Sequence, residues 1–146
     1  MNHITASPTL DTPHALQRVG TQTDILGECP LWDDTAQCLY WVDIRLPAIR
    51  RLCHATGEVN TWPMPELVGS IALVDDGRLL VATLKQGNAV EVFDLGTGAS
   101  VAQLPTSNRL AHGVTISTDS RFAFVSSEGQ GSQPGKVDVI DLVARG

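Results

Sequence analysis

Cations are scarce in this sequence. Ten Lys and Arg face sixteen Asp and Glu, for a formal net charge of −6. The ten are scattered rather than gathered into a stripe, which excludes the basic footprint of a nucleic-acid binder. Long apolar runs are missing too, so no segment could cross a bilayer as a helix. The start, Met1-Asn2-His3-Ile4-Thr5-Ala6-Ser7-Pro8, lacks the basic-then-apolar order of a secretory signal. Cysteine is limited to Cys29, Cys38 and Cys53, an odd number without a Cys-x-x-Cys spacing. Buried or free thiols, small apolar fillers in a reducing compartment, fit this better than a disulfide framework. A cytoplasmic chain without membrane or nucleic-acid partners is expected. Two catalytic signatures are absent as well. Gly96-Thr97-Gly98 has neither the lysine nor the following helix of a phosphate loop, and Ser126-Ser127-Glu128 has no nucleophile elbow around it.

What is present is a repeat of short strands with no long amphipathic helix. The turns Ala55-Thr56-Gly57-Glu58 and Gly96-Thr97-Gly98-Ala99 place Thr56 and Thr97 forty-one residues apart. A period of about 40–45 residues built only from strands marks a β-propeller blade, because one four-stranded sheet cannot bury both its faces alone. After a polar segment at 1–22, expected to be a flexible leader or a strand lent to another blade, three blades are expected at 23–64, 65–106 and 107–146. Their strands read Glu28–Trp32, Cys38–Asp43, Ala48–His54 and Asn60–Trp62; then Val68–Leu73, Arg78–Thr83, Ala89–Asp94 and Ser100–Leu104; then His112–Ile116, Phe122–Ser127 and Lys136–Asp141. The fold class is all-β, a partial propeller. Closed rings use roughly 4–8 blades, so about three are expected not to close a ring alone. Open faces and edges would favour pairing with another copy, a homo-oligomer.

In register, the three innermost strands carry Glu28, Gly69 and His112 at equivalent places around one mouth of the channel, where ligands bind by default. A carboxylate there must find a cation, a donor or water. Glu28 therefore reads either as a ligand to a hard ion or as a solvated, hydrogen-bonded glutamate. His112 reads as a base, a ligand or a polar channel residue. His3, His14 and His54 form no ligand spacing with it. Asp33-Asp34 and Asp75-Asp76 sit between strands, where Asp caps its own turn. Trp32, Trp41 and Trp62 are expected to pack between blades.

Leu26-Gly27-Glu28-Cys29-Pro30-Leu31-Trp32-Asp33, Leu39-Tyr40-Trp41-Val42-Asp43-Ile44, Thr56-Gly57-Glu58-Val59, Trp62-Pro63 and Val68-Gly69-Ser70-Ile71-Ala72-Leu73 follow one another in an order that resembles the SMP-30/gluconolactonase/luciferin-regenerating-enzyme family, which includes regucalcin. The likeness covers roughly residues 24–104. It implies a six-bladed propeller that holds a divalent metal, commonly calcium or zinc, and hydrolyses sugar lactones or related esters. It implies a metal-ligand role for Glu28, from the family's Gly-Glu-x-Pro motif. The family's next signature, Arg-x-Asn-Asp-Gly, contacts substrate through its Arg and Asn. Arg109-Leu110-Ala111-His112-Gly113 keeps the arginine and the glycine and loses the asparagine, which leaves Arg109, with His112 beside it, as candidate substrate-binding residues. The remaining metal ligands, an Asn and an Asp of later blades, would lie beyond Gly146. The last repeat, from His112 through Val125 and then Pro134 to Leu142, looks more like the YVTN-type repeats of seven-bladed, often non-catalytic propellers. The chain thus resembles a fragment of a metal-dependent lactone hydrolase. The alternatives are a non-catalytic binding or assembly module and a calcium-binding regulator.

Overall fold

The computed structural model describes residues 18–74 and 77–143; residues 1–17, with most of the expected leader, lie outside them. Eleven strands and no helix are found among the described residues. They are β1 (Gly27–Asp33), β2 (Cys38–Asp43), β3 (Ala48–Cys53), β4 (Val59–Pro63), β5 (Val68–Val74), β6 (Leu79–Leu84), β7 (Ala89–Asp94), β8 (Ser100–Pro105), β9 (Ala111–Ile116), β10 (Phe122–Ser127) and β11 (Lys136–Asp141). Chain order equals spatial order, giving the antiparallel meanders β1-β2-β3-β4, β5-β6-β7-β8 and β9-β10-β11. The repeat extends to hydrogen bonds. The third-to-fourth-strand turn is closed by Gly57 N–H to Cys53 O at 2.8 Å in the first sheet and by Gly98 N–H to Asp94 O at 2.7 Å in the second. Both glycines have φ near +70°, 70° and 73°, where a side chain is disfavoured.

The sheets stack side by side as an open arc, with β5 against β1 and β2 on one side and against β9 on the other. Two cores result. Tyr40, Val42 and Ile49 of the first sheet meet Val68, Ile71, Leu80 and Leu84 of the second. Val74, Val81, Val90 and Val92 of the second meet Ala111, Ala123 and Val125 of the third. Leu80 and Leu84 thus face one core while Val81 faces the other. β6 is therefore apolar except at Thr83, as expected of a strand covered on both faces. β10 lacks that cover and alternates: Ala123 and Val125 are buried, and Phe124 is exposed beside the exposed Val137 and Val139 of β11.

Only one tryptophan packs between blades. Trp62 adjoins the first core. Trp32 is 46% exposed, edge-on to His54. Trp41 lies on the other face of β2, where its Nε1–H donates to Asp24 Oδ2 at 2.8 Å. Asp24 also takes Arg50 Nε–H at 2.6 Å, so the residues leading into β1 fold back over that face. Alternation along β2 decides this: Tyr40 and Val42 take the inward positions, and Trp41 must point the other way.

Candidate functional site

The innermost strands share one irregularity, placed within one residue of the same position. Pairing slips between Glu28 and Leu31 in β1, between Val68 and Ile71 in β5, and between Val125 and Ser127 of β10 where it meets β9. Such bulges bend a strand and re-aim its side chains, and they occur next to active sites. Below each bulge the same bond recurs: Ile44 N–H to Leu26 O, Lys85 N–H to Leu67 O and Glu128 N–H to Leu110 O, at 3.0, 3.0 and 3.1 Å. Glu28, Gly69 and His112 are thereby equivalent in their sheets, and so are Ile44, Lys85 and Glu128.

Gly69 is required by close approach. A Cβ there would lie 2.9 Å from both Cα and O of His112, inside the contact limit of carbon. The seam between β5 and β9 is sealed by the buried Thr83, whose hydroxyl accepts Ser70 N–H at 2.8 Å and donates to His112 O at 2.7 Å. On the other flank, Cys29 takes a φ of 54°, uncommon for a non-glycine residue. Its Sγ reaches Ser70 Oγ at 3.2 Å, which couples the first bulge to the second.

Three ionisable side chains meet at the third. Lys85 Nζ–H donates to Glu128 Oε1 at 2.6 Å, and Nζ lies 2.9 Å from His112 Nδ1. Glu128 Oε1 lies 2.9 Å from the same Nδ1. Lysine has no acceptor, so an unprotonated Nδ1 accepts from Lys85 and the ring proton sits on Nε2. A protonated Nδ1 instead donates to Glu128, and in the neutral ring Nε2 is then an acceptor. The hydrogen bond from Lys85 holds the Glu128 carboxyl below the usual glutamate range, against the opposing effect of its partial burial. Arg109 is exposed and shares a depression with Lys85, Gln86, Asn88 and Gln130.

Glu28 stands apart. It is half-buried in β1 and makes no ion pair among the described residues. No group of three or more His, Cys, Asp or Glu side chains placed to hold a metal occurs among them either. Calcium takes 6–8 oxygen ligands and zinc about four donors, so the residues described do not by themselves fit a divalent ion. The nearby Asp43 is committed elsewhere. It is fully buried, and its carboxylate accepts the amides of Ile25, Leu26, Arg45 and Leu46. Burial pushes its pKa up, and those amides more than offset this and leave it lowered. Asp33 caps its own turn as expected, taking the amides of Thr35 and Ala36 at 3.0 Å each. Asp75-Asp76 lies outside the described residues.

The structure thus brings His112 against Gly69, puts Arg109 in the depression that Lys85 lines, and leaves Glu28 separate. Sequence reasoning missed Lys85 and Glu128. The signal was available: each directly follows the second strand of its blade, forty-three residues apart.

Comparison with known proteins gives the family and the fold. The model of the SMP-30/Gluconolactonase/LRE-like region matches residues 26–138. A 6-deoxy-6-sulfogluconolactonase of Pseudomonas putida is 36% identical over 91 residues, 62% of this chain and 31% of that protein. An L-arabinolactonase of Azospirillum brasilense is 41% identical over 75 residues, 51% of this chain and 24% of that one. The matched stretch therefore spans a quarter to a third of these relatives. Among solved structures, hydrazine synthase of Kuenenia stuttgartiensis superposes with a TM-score of 0.73 at 20% identity, over 81% of this chain and 34% of that chain. A nidogen/laminin complex superposes with 0.68 at 19% identity, over 80% and 44%. At such identities these two speak for the propeller-like fold alone.

Proposed function

The chain belongs to the SMP-30/gluconolactonase/LRE-like family, and from that premise we propose that it forms one arc of a ring that hydrolyses a sugar lactone. The observation that supports this is the bond that recurs beside the three inner bulges, from Ile44 to Leu26, Lys85 to Leu67 and Glu128 to Leu110, which gives Glu28, Gly69 and His112 equivalent positions in their sheets. The names of the two relatives support a hydroxylated lactone as the substrate class.

Lactone hydrolysis needs a water deprotonated as it attacks the carbonyl carbon, and a proton returned to the ring oxygen as the C–O bond breaks. With Nδ1–H held by Glu128, His112 Nε2 would take the proton from water and pass it to the leaving alkoxide. Lys85 would stabilise Glu128 as the anion that orients the ring. Arg109 would hold a hydroxyl or an anionic substituent of the sugar. Members of this family generally use a divalent metal. Glu28 is proposed as one donor to it, with calcium and zinc as the candidate ions, and no step above depends on it because the described residues do not complete a site.

The test is lactone opening, followed by acid release at constant pH on gluconolactone and arabinolactone. Turnover above buffer that falls 100-fold or more in His112→Asn, the scale of general-base catalysis, is expected. Rates equal to buffer for the native chain would overturn the enzyme reading for this chain.

A second reading, an assembly module, rests on the exposed Phe124, Val137 and Val139 of the third blade. On this reading a second copy covers that face, and light scattering would give a discrete dimer without lactone turnover. No helix among the described residues is long and apolar enough to cross a membrane; a cytoplasmic location remains part of the proposal.

A further inference from the structure

Cys38 and Cys53 stand directly opposite each other on β2 and β3. The flanking bond, His54 N–H to Gln37 O at 3.1 Å, identifies theirs as a non-hydrogen-bonded pair. That type brings Cα atoms to about 4.5 Å with both side chains on one face. Disulfides span Cα separations of about 4.4–6.8 Å, so the pair lies within reach of a bond at the short end of the range. We propose that Cys38 and Cys53 form a reversible dithiol–disulfide modification site whose co-reactant is a small hydroperoxide.

The two thiols divide the roles of attacking and resolving cysteine. Each lies close enough to shift the ionisation of the other. Cys53 is half-buried and lines an open depression with Arg18, Val19, Gly20 and His54. The Thr56 hydroxyl, followed by the Thr56 and Ala55 amides, lowers its pKa. Thiolate is the reacting form, so Cys53 attacks first. Cys38 is 3% exposed and its Sγ faces Ala36 O at 3.3 Å; burial raises its pKa despite the charge of Arg51. It is closed to solvent and open to Cys53.

With hydrogen peroxide, the Cys53 thiolate attacks one oxygen, the O–O bond breaks, and hydroxide leaves, giving a sulfenic acid. The Cys38 sulfur then attacks the Cys53 sulfur, the S–O bond breaks, and the hydroxyl departs as water with the Cys38 proton. Two thiols are oxidised and one peroxide is reduced to two waters. A dithiol reductant reverses the bond by exchange. The disulfide would staple the β2–β3 hairpin at its open end. Cys29, held at the bulge against Ser70, takes no part.

Hydrogen peroxide on the native chain, followed by thiol counting and peptide mapping, tests this. Three free thiols should fall to one, the mass should drop by two hydrogens, one Cys38–Cys53 link should appear, and dithiothreitol should restore all three thiols. Cys29→Ser should form the same link. Cys38→Ser should stop at a Cys53 sulfenic acid that dimedone captures. In concentrated urea the preference for this pair should vanish, since register creates it. Retention of three thiols at a dose that oxidises free N-acetylcysteine would overturn the proposal. So would a native-state link to Cys29, or Cys53 proceeding to sulfinic acid with Cys38 still reduced.

Discussion

The two flanks of β5 carry opposite electrostatic arrangements on the same backbone. In the first blade Glu28 sits above Ile44, without an ion pair among the described residues; in the third, His112 sits above Glu128, and the equivalent Lys85 of the second blade bonds to both. A propeller thus repeats its backbone, while single substitutions at two equivalent positions decide whether a charge is left for a ligand or satisfied within the protein. The satisfied flank, which holds the proposed base His112, should bear on stability as well as on function. The unsatisfied flank should bear on function with little effect on stability.

Substitutions test that division, beginning with the seam beneath the satisfied flank. Gly69→Val forces a side chain against the His112 backbone at 2.9 Å and should destabilise by about 3 kcal/mol, the upper range of overpacking, read as a lower urea midpoint. Thr83→Val removes the hydroxyl that joins Ser70 N–H to His112 O. Buried groups left without a partner cost about 1–3 kcal/mol each, so a loss of about 2 kcal/mol is expected.

Lys85→Met should act more weakly, and only over part of the pH range. The folded Glu128 pKa is lowered, so its contribution is present above the ordinary glutamate pKa, about 4.3, and is lost as pH falls through the lowered folded value. Glu128 is 46% exposed, and solvent screening keeps the effect below about 1 kcal/mol. Urea melts should separate the variant from the native chain at neutral pH and converge in acid. A carbon-13 titration of Glu128 should show its pKa rise in the variant. Glu28→Gln should be the mildest, unchanged within about 0.5 kcal/mol by the same melts, while lactone turnover falls. A large loss of stability in Glu28→Gln would break the division.

The strands were legible because their burial follows position in the arc. Leu79-Leu80-Val81-Ala82 is apolar throughout since both its faces are covered, and Phe122-Ala123-Phe124-Val125 keeps its aromatics on the outer face. The equivalence of Glu28, Gly69 and His112 followed from counting, because each inner strand carries one bulge of the same size within one residue of the same position. Lys85 and Glu128 escaped notice because a charge at a strand end reads as a solvated turn residue. Only the twist of neighbouring sheets, which sequence does not encode locally, brings residues forty-three positions apart into contact. Trp32 and Trp41 were assigned to the interfaces from aromatic area alone, and alternation along their strands overrode that preference.

The most direct measurement is an amide-shift titration of the nitrogen-15-labelled chain with gluconolactam, a sugar lactam that resists hydrolysis. A mouth spanning both flanks predicts shifts at Glu28, Ser70, His112 and Glu128, with Val137 and Val139 unmoved. Shifts confined to the third blade's open face, or none at all while the chain stays folded, would contradict a ligand site at the mouth.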